Sequence, residues 1–233
     1  MLKEIDHAET LTIRNCNFTA WKKRSMGHLK KLRKLVMENN SIEFSGIELE
    51  NLLDDAVNLE ELEYINNKQT GCRPDVVRDL KKLKKMVVRD ISNCADIQEN
   101  TFNNTALVKL EIAGSNTKNV NVGAFNGLDK LEDLNLERNK LASIPKDVFV
   151  PLKSLKTLNL RKNIIEKFCI ENLPELQQLE EINLSQNPLT ELSLKDVQTI
   201  APKLKIIDVT GTKLTEAQIL DLTKSSKVQL KNI

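Results

Sequence analysis

An eleven-residue phrase returns along the chain at a nearly fixed interval, and no other feature limits the fold as strongly. From Leu131 it reads LEDLNLERNKL, and it comes back as LKTLNLRKNII from Leu155, LEEINLSQNPL from Leu179 and LKIIDVTGTKL from Leu204. Upstream, LVKLEIAGSNT (from Leu107), LKKMVVRDISN (from Leu83), LEELEYINNKQ (from Leu59), LRKLVMENNSI (from Leu32) and AETLTIRNCNF (from Ala8) keep the same frame. Successive starts lie 24, 27, 24, 24, 24, 24, 24 and 25 residues apart. A unit of that length cannot bury its apolar side alone, so the units must stack on one another.

The positions within the phrase say how. Residues four and six, such as Leu134 and Leu136, alternate like a short strand and point one way. Each strand pairs with its neighbour at about 4.8 Å, giving a parallel ladder. Asn139, Asn163 and Asn187 recur at position nine, where a side-chain amide can satisfy backbone groups of adjacent coils. Phe102, Phe125 and Phe149 fill a later inward position, taken by Leu173 and Val197 further on. Tyr64 and Trp21 also fall on inward positions, and Phe168 is given a structural place beside Cys169. The predicted fold is an α/β repeat solenoid: a curved, right-handed coil of about nine repeats with a parallel concave β-sheet. It forms one domain over 1–233, with an irregular first repeat (1–31), repeats over 32–214 and a closing segment over 215–233. In that segment TEAQILDLTKSS has helical spacing and KVQL reads as a closing strand. The longer repeat inserts Phe44–Asn58 on the convex side, where Ile47, Leu49, Leu52 and Leu53 cover the core.

The pattern LxxLxLxxNxL resembles the leucine-rich repeat family over essentially the whole chain. The half-repeats NVNVGAFNGL and SIPKDVFVPL are similar to the 24-residue subfamily of extracellular receptors, such as Toll-like receptors and arthropod immune proteins. That resemblance implies a secreted or ectodomain-type glycoprotein that binds another protein in innate immunity or adhesion. The alternative is an intracellular scaffold or adaptor, in a cytoplasmic setting. Many extracellular relatives carry cysteine-rich caps that are not recognisable here, which fits the alternative. Uncapped ends exposing Leu2, Ile5, Leu11 and Ile13 would invite self-association.

Composition narrows the function classes. Thirty-five basic residues against 33 acidic ones leave a net charge of +2, so no global field selects nucleic acid or an anionic membrane. Aromatics are 3 %, too few to furnish stacking platforms for bases. No apolar run approaches the roughly 20 residues that span a bilayer, and MLKEIDHAET has no secretory h-region. The chain is therefore either cytosolic or begins as a mature protein. No nucleophile elbow or phosphate loop is present, and carboxylate pairs such as Glu60/Glu61 are sequence neighbours on a surface rather than walls of a cleft. Neither an enzyme nor a cofactor is expected, and His7 and His28 lack metal-site company.

Cys16 takes a position-nine slot, six repeats from Cys169 and so on the order of 30 Å away, beyond disulfide reach. Cys72 and Cys94, in adjacent repeats, either pair or remain buried thiols. Sequons at Asn17, Asn39, Asn103 and Asn183 are candidate N-glycosylation sites. The candidate binding face comprises Glu111, Asn135, Glu137, Arg138, Asn159, Arg161, Lys162, Asn183, Gln186 and Asp208, of which Asn135, Glu137 and Arg138 are the free positions of the phrase from Leu131. Beside them, positions two and three alternate in sign: Arg33/Lys34, Glu60/Glu61, Lys84/Lys85, then, after the mixed Val108/Lys109, Glu132/Asp133, Lys156, Glu180/Glu181 and Lys205. A ladder slipped by one repeat would set like charges together, so these rungs hold register. Replacing Glu132 and Asp133 by lysine should lower the urea unfolding midpoint more at low salt than at high salt; equal losses would contradict a register role.

Overall fold

A computed structural model describes residues 6–18, 26–42, 53, 56–68, 77, 79–92, 94, 96–102 and 106–232. Leu2, Ile5, Trp21, Cys72, Asn103 and nearly all of the insertion, including Ile47, Leu49 and Leu52, lie outside the described residues; Leu53 is buried. Ten strands run as one parallel sheet in chain order: β1 (Thr10–Arg14), β2 (Lys34–Glu38), β3 (Glu61–Ile65), β4 (Lys85–Arg89), β5 (Lys109–Ala113), β6 (Asp133–Asn135), β7 (Thr157–Asn159), β8 (Glu181–Asn183), β9 (Ile206–Asp208) and β10 (Gln229–Lys231). Each repeat position pairs with its own counterpart. Leu35, Leu62, Met86, Leu110, Leu134, Leu158, Ile182 and Ile207 form one continuous row. All eight are at most 2 % exposed, so a register slip would expose the row.

Behind the sheet, the rings of Phe102, Phe125 and Phe149 stack with centroids 6.4 and 6.0 Å apart, and all three are buried. Tyr64 is buried as well, and burial pushes its phenol pKa upward. A second parallel pair, Lys167–Cys169 with Glu191–Ser193, seats Phe168 against Leu192. Helix α1 (Glu216–Ser225) opens on a capping box: the Gln218 N–H donates to the Thr215 hydroxyl, and the Thr215 N–H donates to Gln218 Oε1. Ile219 and Leu222 pack on the core, and the chain then adds β10 to β9.

Position nine supplies the cement. Asn163 Oδ1 accepts the Leu141 N–H (3.0 Å), while its Nδ2 donates to the carbonyls of Leu136 and Leu160 (both 3.0 Å). Asn187 repeats this one coil on, with Ile165, Leu160 and Leu184. Asn139 serves Ser115, Thr117, Ile112 and Leu136, and Asn40 and Asn67 do similar work near the N-terminus. The residues before position nine turn left-handed in all nine repeats, which aims the asparagine inward where one is present. These are Asn15, Asn39, Asn66, Asp90, Gly114, Arg138, Lys162, Gln186 and Gly211, with φ between 48° and 69°. Asn, Asp and Gly tolerate this conformation, whereas Arg138, Lys162 and Gln186 adopt it at a cost of about 1 kcal/mol each.

The first and last repeats have Cys16 and Thr212 in place of the asparagine, and two adjacent inner repeats have Ile91 and Ser115. Across that interruption the Arg138 guanidinium passes over Gly114 to Asp90, with Nη2 and Oδ1 2.5 Å apart. A Cβ on Gly114 would lie 2.3 Å from Asp90 Oδ1 and 2.9 Å from Arg138 Nη2. Glycine is thus favoured by the turn, and it leaves the bridge room that a Cβ would take. Asn163→Ala should destabilise by about 2–4 kcal/mol through unpaired buried backbone groups, and Gly114→Ala by about 1–3 kcal/mol. Equilibrium urea unfolding checks both, and a loss below about 0.5 kcal/mol for Asn163→Ala, well under the cost of one orphaned group, would contradict the bridging role.

Candidate interaction surface on the strand face

Outward side chains of the sheet come from repeat positions three, five and seven, and the two halves of the ladder use them differently. Strands β1 to β5 span five residues, but β6 to β9 span three. The change follows position five. Asn135, Asn159, Asn183 and Asp208 each turn a side-chain oxygen onto the N–H two residues later: Glu137, Arg161, Ser185 and Thr210, at 3.0, 3.0, 2.9 and 2.9 Å. A side chain that captures a local N–H competes with the ladder and ends the strand.

In the N-terminal half the outward face is closed by ion pairs. Lys34 donates to Glu61 (2.9 Å) and Glu63 (3.0 Å), Lys85 donates to Glu63 (2.7 Å), and Arg89 Nε donates to Glu111 (2.5 Å). Beneath these heads, the outward-facing Val36 and Val87 are 5 % and 3 % exposed. Burial alone would raise the pKa of Glu63, but hydrogen bonds from Lys85 and Lys34 outweigh it and hold the carboxyl below its ordinary range. Along the margin most of the alternating rungs close: Glu60 accepts from Lys84 (2.7 Å) and Arg33 (2.5 Å), Glu132 from Lys156 (2.7 Å) and Glu180 from Lys205 (2.5 Å), whereas Lys85 and Lys109 stand side by side.

The C-terminal half leaves a depression of about 370 Å3, lined by Thr157, Asn159, Glu181, Asn183, Ile206, Asp208 and Lys231 together with the floor residues Leu158 and Ile182. Burial would raise the pKa of Asp208, yet hydrogen bonds from Thr210 and the Lys231 ammonium 3.5 Å away keep it low. Of the ten expected face residues, Asn159, Asn183 and Asp208 meet in this depression. Glu111 is 5 % exposed and bound to Arg89. The trio expected to be free is engaged: Asn135 bonds the Glu137 N–H, Glu137 accepts from Asn159 Nδ2 (3.0 Å), and Arg138 bridges to Asp90. Arg161 Nη2 donates to Gln186 Oε1 (3.2 Å), while Lys162 and Gln186 occupy the left-handed corner beyond the strands. Glu181, Ile206 and Lys231 were missed by sequence reasoning. Ile206 was findable, because it is apolar at an outward position that holds Asp133, Thr157 and Glu181 in the preceding repeats.

Asn183 lies half-buried in the depression, whereas Asn17 and Asn39 are exposed around a notch of about 380 Å3, where Asn66 Nδ2 donates to Asn39 Oδ1 (2.7 Å). Cys94 is disulfide-bonded, and Cys16 and Cys169 are free, Cys16 being exposed. Burial, then the nearby Glu171, pushes the Cys169 thiol pKa upward. Among the described residues no three His, Cys, Asp or Glu side chains are grouped to hold a metal, and no helix is long and apolar enough to cross a membrane.

Residues 105–165 match the family model described as leucine rich repeat. No curated protein matches the sequence. Among solved structures the chain resembles an internalin from Listeria monocytogenes (18 % identity, TM-score 0.66), covering 95 % of this chain and 60 % of that one. It also resembles a chain of the Toll–Spatzle complex of Drosophila (18 %, TM-score 0.68), covering all of this chain and 33 % of that one. A chain of the TLR13–ssRNA13 complex (17 %, TM-score 0.69) is matched over all of this chain and 40 % of its own length.

The depressed carboxyls Glu60, Glu63, Glu180 and Asp208 bind protons less readily folded than unfolded. Their stabilisation is complete above the ordinary carboxylate pKa and is lost as pH falls through the folded values. Lys34, raised by Glu61 and Glu63, contributes stability that is lost only as pH climbs above its ordinary 10.5. The melting temperature should be level near neutrality and fall below about pH 4.5, with a smaller fall in Glu63→Gln. An unchanged melting temperature down to about pH 3 would contradict these assignments.

Proposed function

The chain is a leucine-rich repeat protein, and on that premise we propose that it is a non-catalytic protein-binding module of secreted or receptor-ectodomain type. Its partner docks on the C-terminal half of the strand face. The observation that carries this is the contrast between the two halves: ion pairs close the outward groups of β2 to β5, whereas β7 to β10 surround an open depression. Ile206 offers an apolar contact, Asn183 an amide, Glu181 and Asp208 carboxylates and Lys231 an ammonium. That mixture suits a peptide segment or loop presenting amides and cationic side chains. With acidic groups and no aromatic on its lining, it does not suit nucleic acid.

The disulfide at Cys94 supports an oxidising compartment. Exposed sequon asparagines at Asn17 and Asn39 are compatible with a glycoprotein. Innate immune recognition or adhesion is the setting that the repeat subfamily suggests, and Toll, whose structure was solved with Spatzle, aligns with the whole chain. The free thiols of Cys16 and Cys169 favour a second reading, an intracellular scaffold using the same face.

Affinity capture from extracellular fluid should compare the wild-type chain with Ile206→Glu/Asn183→Arg. A partner held by the wild type and lost at least about tenfold by the variant supports the site. A partner retained by both would overturn it. Arg138 is unsuited to this test, because reversing it breaks the bridge to Asp90.

A further inference from the structure

The margin where the chain enters its strands carries a second feature, remote from the depression. The repeats beginning at Leu32 and Leu83 are preceded by doubled lysines, Lys30/Lys31 and Lys81/Lys82, all exposed. The intervening repeat has Val57 and Asn58 in those places, and Asn58 ties the flanking coils together. Its Nδ2 donates to the Lys30 carbonyl (2.8 Å), and its Oδ1 accepts from Lys82 Nζ (2.7 Å). Two strand spacings, about 10 Å, separate the lysine pairs. Between them lies a cleft of about 400 Å3 lined by Lys30, Lys31, Arg33 and Lys82, with Glu9, Asn58 and Glu60. Glu60 is already spanned by Arg33 and Lys84. No described carboxylate forms an ion pair with Lys30, Lys31, Lys81 or Lys82, in contrast to Lys34, Lys85 and Lys156. Among the described residues these four ammonium groups therefore lack a carboxylate partner, and only Lys82 joins a neighbouring coil, through Asn58. In a chain of net charge +2 they concentrate positive potential at one place.

We propose that this basic margin is a binding site for a linear sulfated glycan. Ammonium groups are compact point charges that suit sulfate oxygens without demanding bidentate geometry. Two pairs held apart across one coil engage successive anionic groups of an extended polymer and release its counterions. The described residues of the margin provide no aromatic ring on which a nucleobase could stack. Choosing a sulfated over a phosphorylated polymer rests on the extracellular setting proposed above, whereas the basic margin itself does not.

The test titrates the full chain with a heparin decasaccharide and, separately, with polyuridylate, at two salt concentrations. K30A/K31A/K81A/K82A should weaken heparin binding at least about tenfold at low salt and flatten the dependence of log affinity on log salt. Its urea midpoint should fall only slightly, through loss of the exposed Lys82–Asn58 bond. A control, K118A/K140A/K153A/K195A, removes four other exposed lysines and should change heparin affinity by less than about twofold. Equal losses in the two variants would show attraction to general charge and overturn the site. Polyuridylate bound as tightly as heparin, with the same sensitivity to the margin lysines, would overturn the sulfated partner and the extracellular setting behind that choice. Loss of heparin binding with partner capture at Ile206 intact leaves the two surfaces separately assigned, as proposed.

Discussion

A parallel ladder of short strands leaves each coil with backbone groups that neither its own strand nor its neighbour can satisfy, and the side chains of Asn139, Asn163 and Asn187 meet that need. Each amide binds an N–H of the preceding coil and carbonyls of two coils. This explains why the residue before it is left-handed whatever its identity, since only that turn aims position nine inward. It also explains where other devices cluster. Where Ile91 and Ser115 replace asparagine, the bridge from Arg138 to Asp90 over Gly114 and the disulfide at Cys94 occur in the same stretch.

The same accounting separates scaffold from surface. A side chain that closes a hydrogen bond within the coil has less to offer a partner. Arg138 looks like a binding arginine in isolation, but its guanidinium is engaged with Asp90. The position-five asparagines are divided: the oxygen serves the local backbone and ends the strand, while Asn159 and Asn183 also line the depression. The N-terminal strand face is consumed by cross-strand ion pairs, whose geometry keeps Val36 and Val87 dry. The contrast between engaged and open groups supports placing one surface around Ile206 and another around Lys30 and Lys82.

Periodicity made the coil, the inward rows, the phenylalanine stack and the charge rungs legible, because each depends on residue type at a fixed repeat position. The closing helix and strand were legible from local spacing, whereas the capping box at Thr215 and Gln218 emerged only in the structure. The candidate surface was less so. Sequence placed Asn135, Glu137 and Arg138 outside the core, but which outward groups find partners depends on side-chain reach across one or two coils. Asp90 and Arg138 are 48 residues apart and meet only because the period is 24. Ile206 and Lys231 became part of one depression only once β9 and β10 were adjacent. The left-handed corner also escaped notice, because Arg138, Lys162 and Gln186 do not advertise it as glycine does.

Native-state hydrogen exchange at Leu141 and Ile165 addresses the asparagine ladder most directly. Their N–H groups bond to side chains of the following coil rather than to a strand partner. If those amides hold the coils together, both exchange as slowly as strand-row amides such as Leu134 and Leu158, through cooperative opening of the solenoid. Exchange at Leu141 and Ile165 orders of magnitude faster, with the strand row still protected, would contradict a ladder on which the rest of the structure depends.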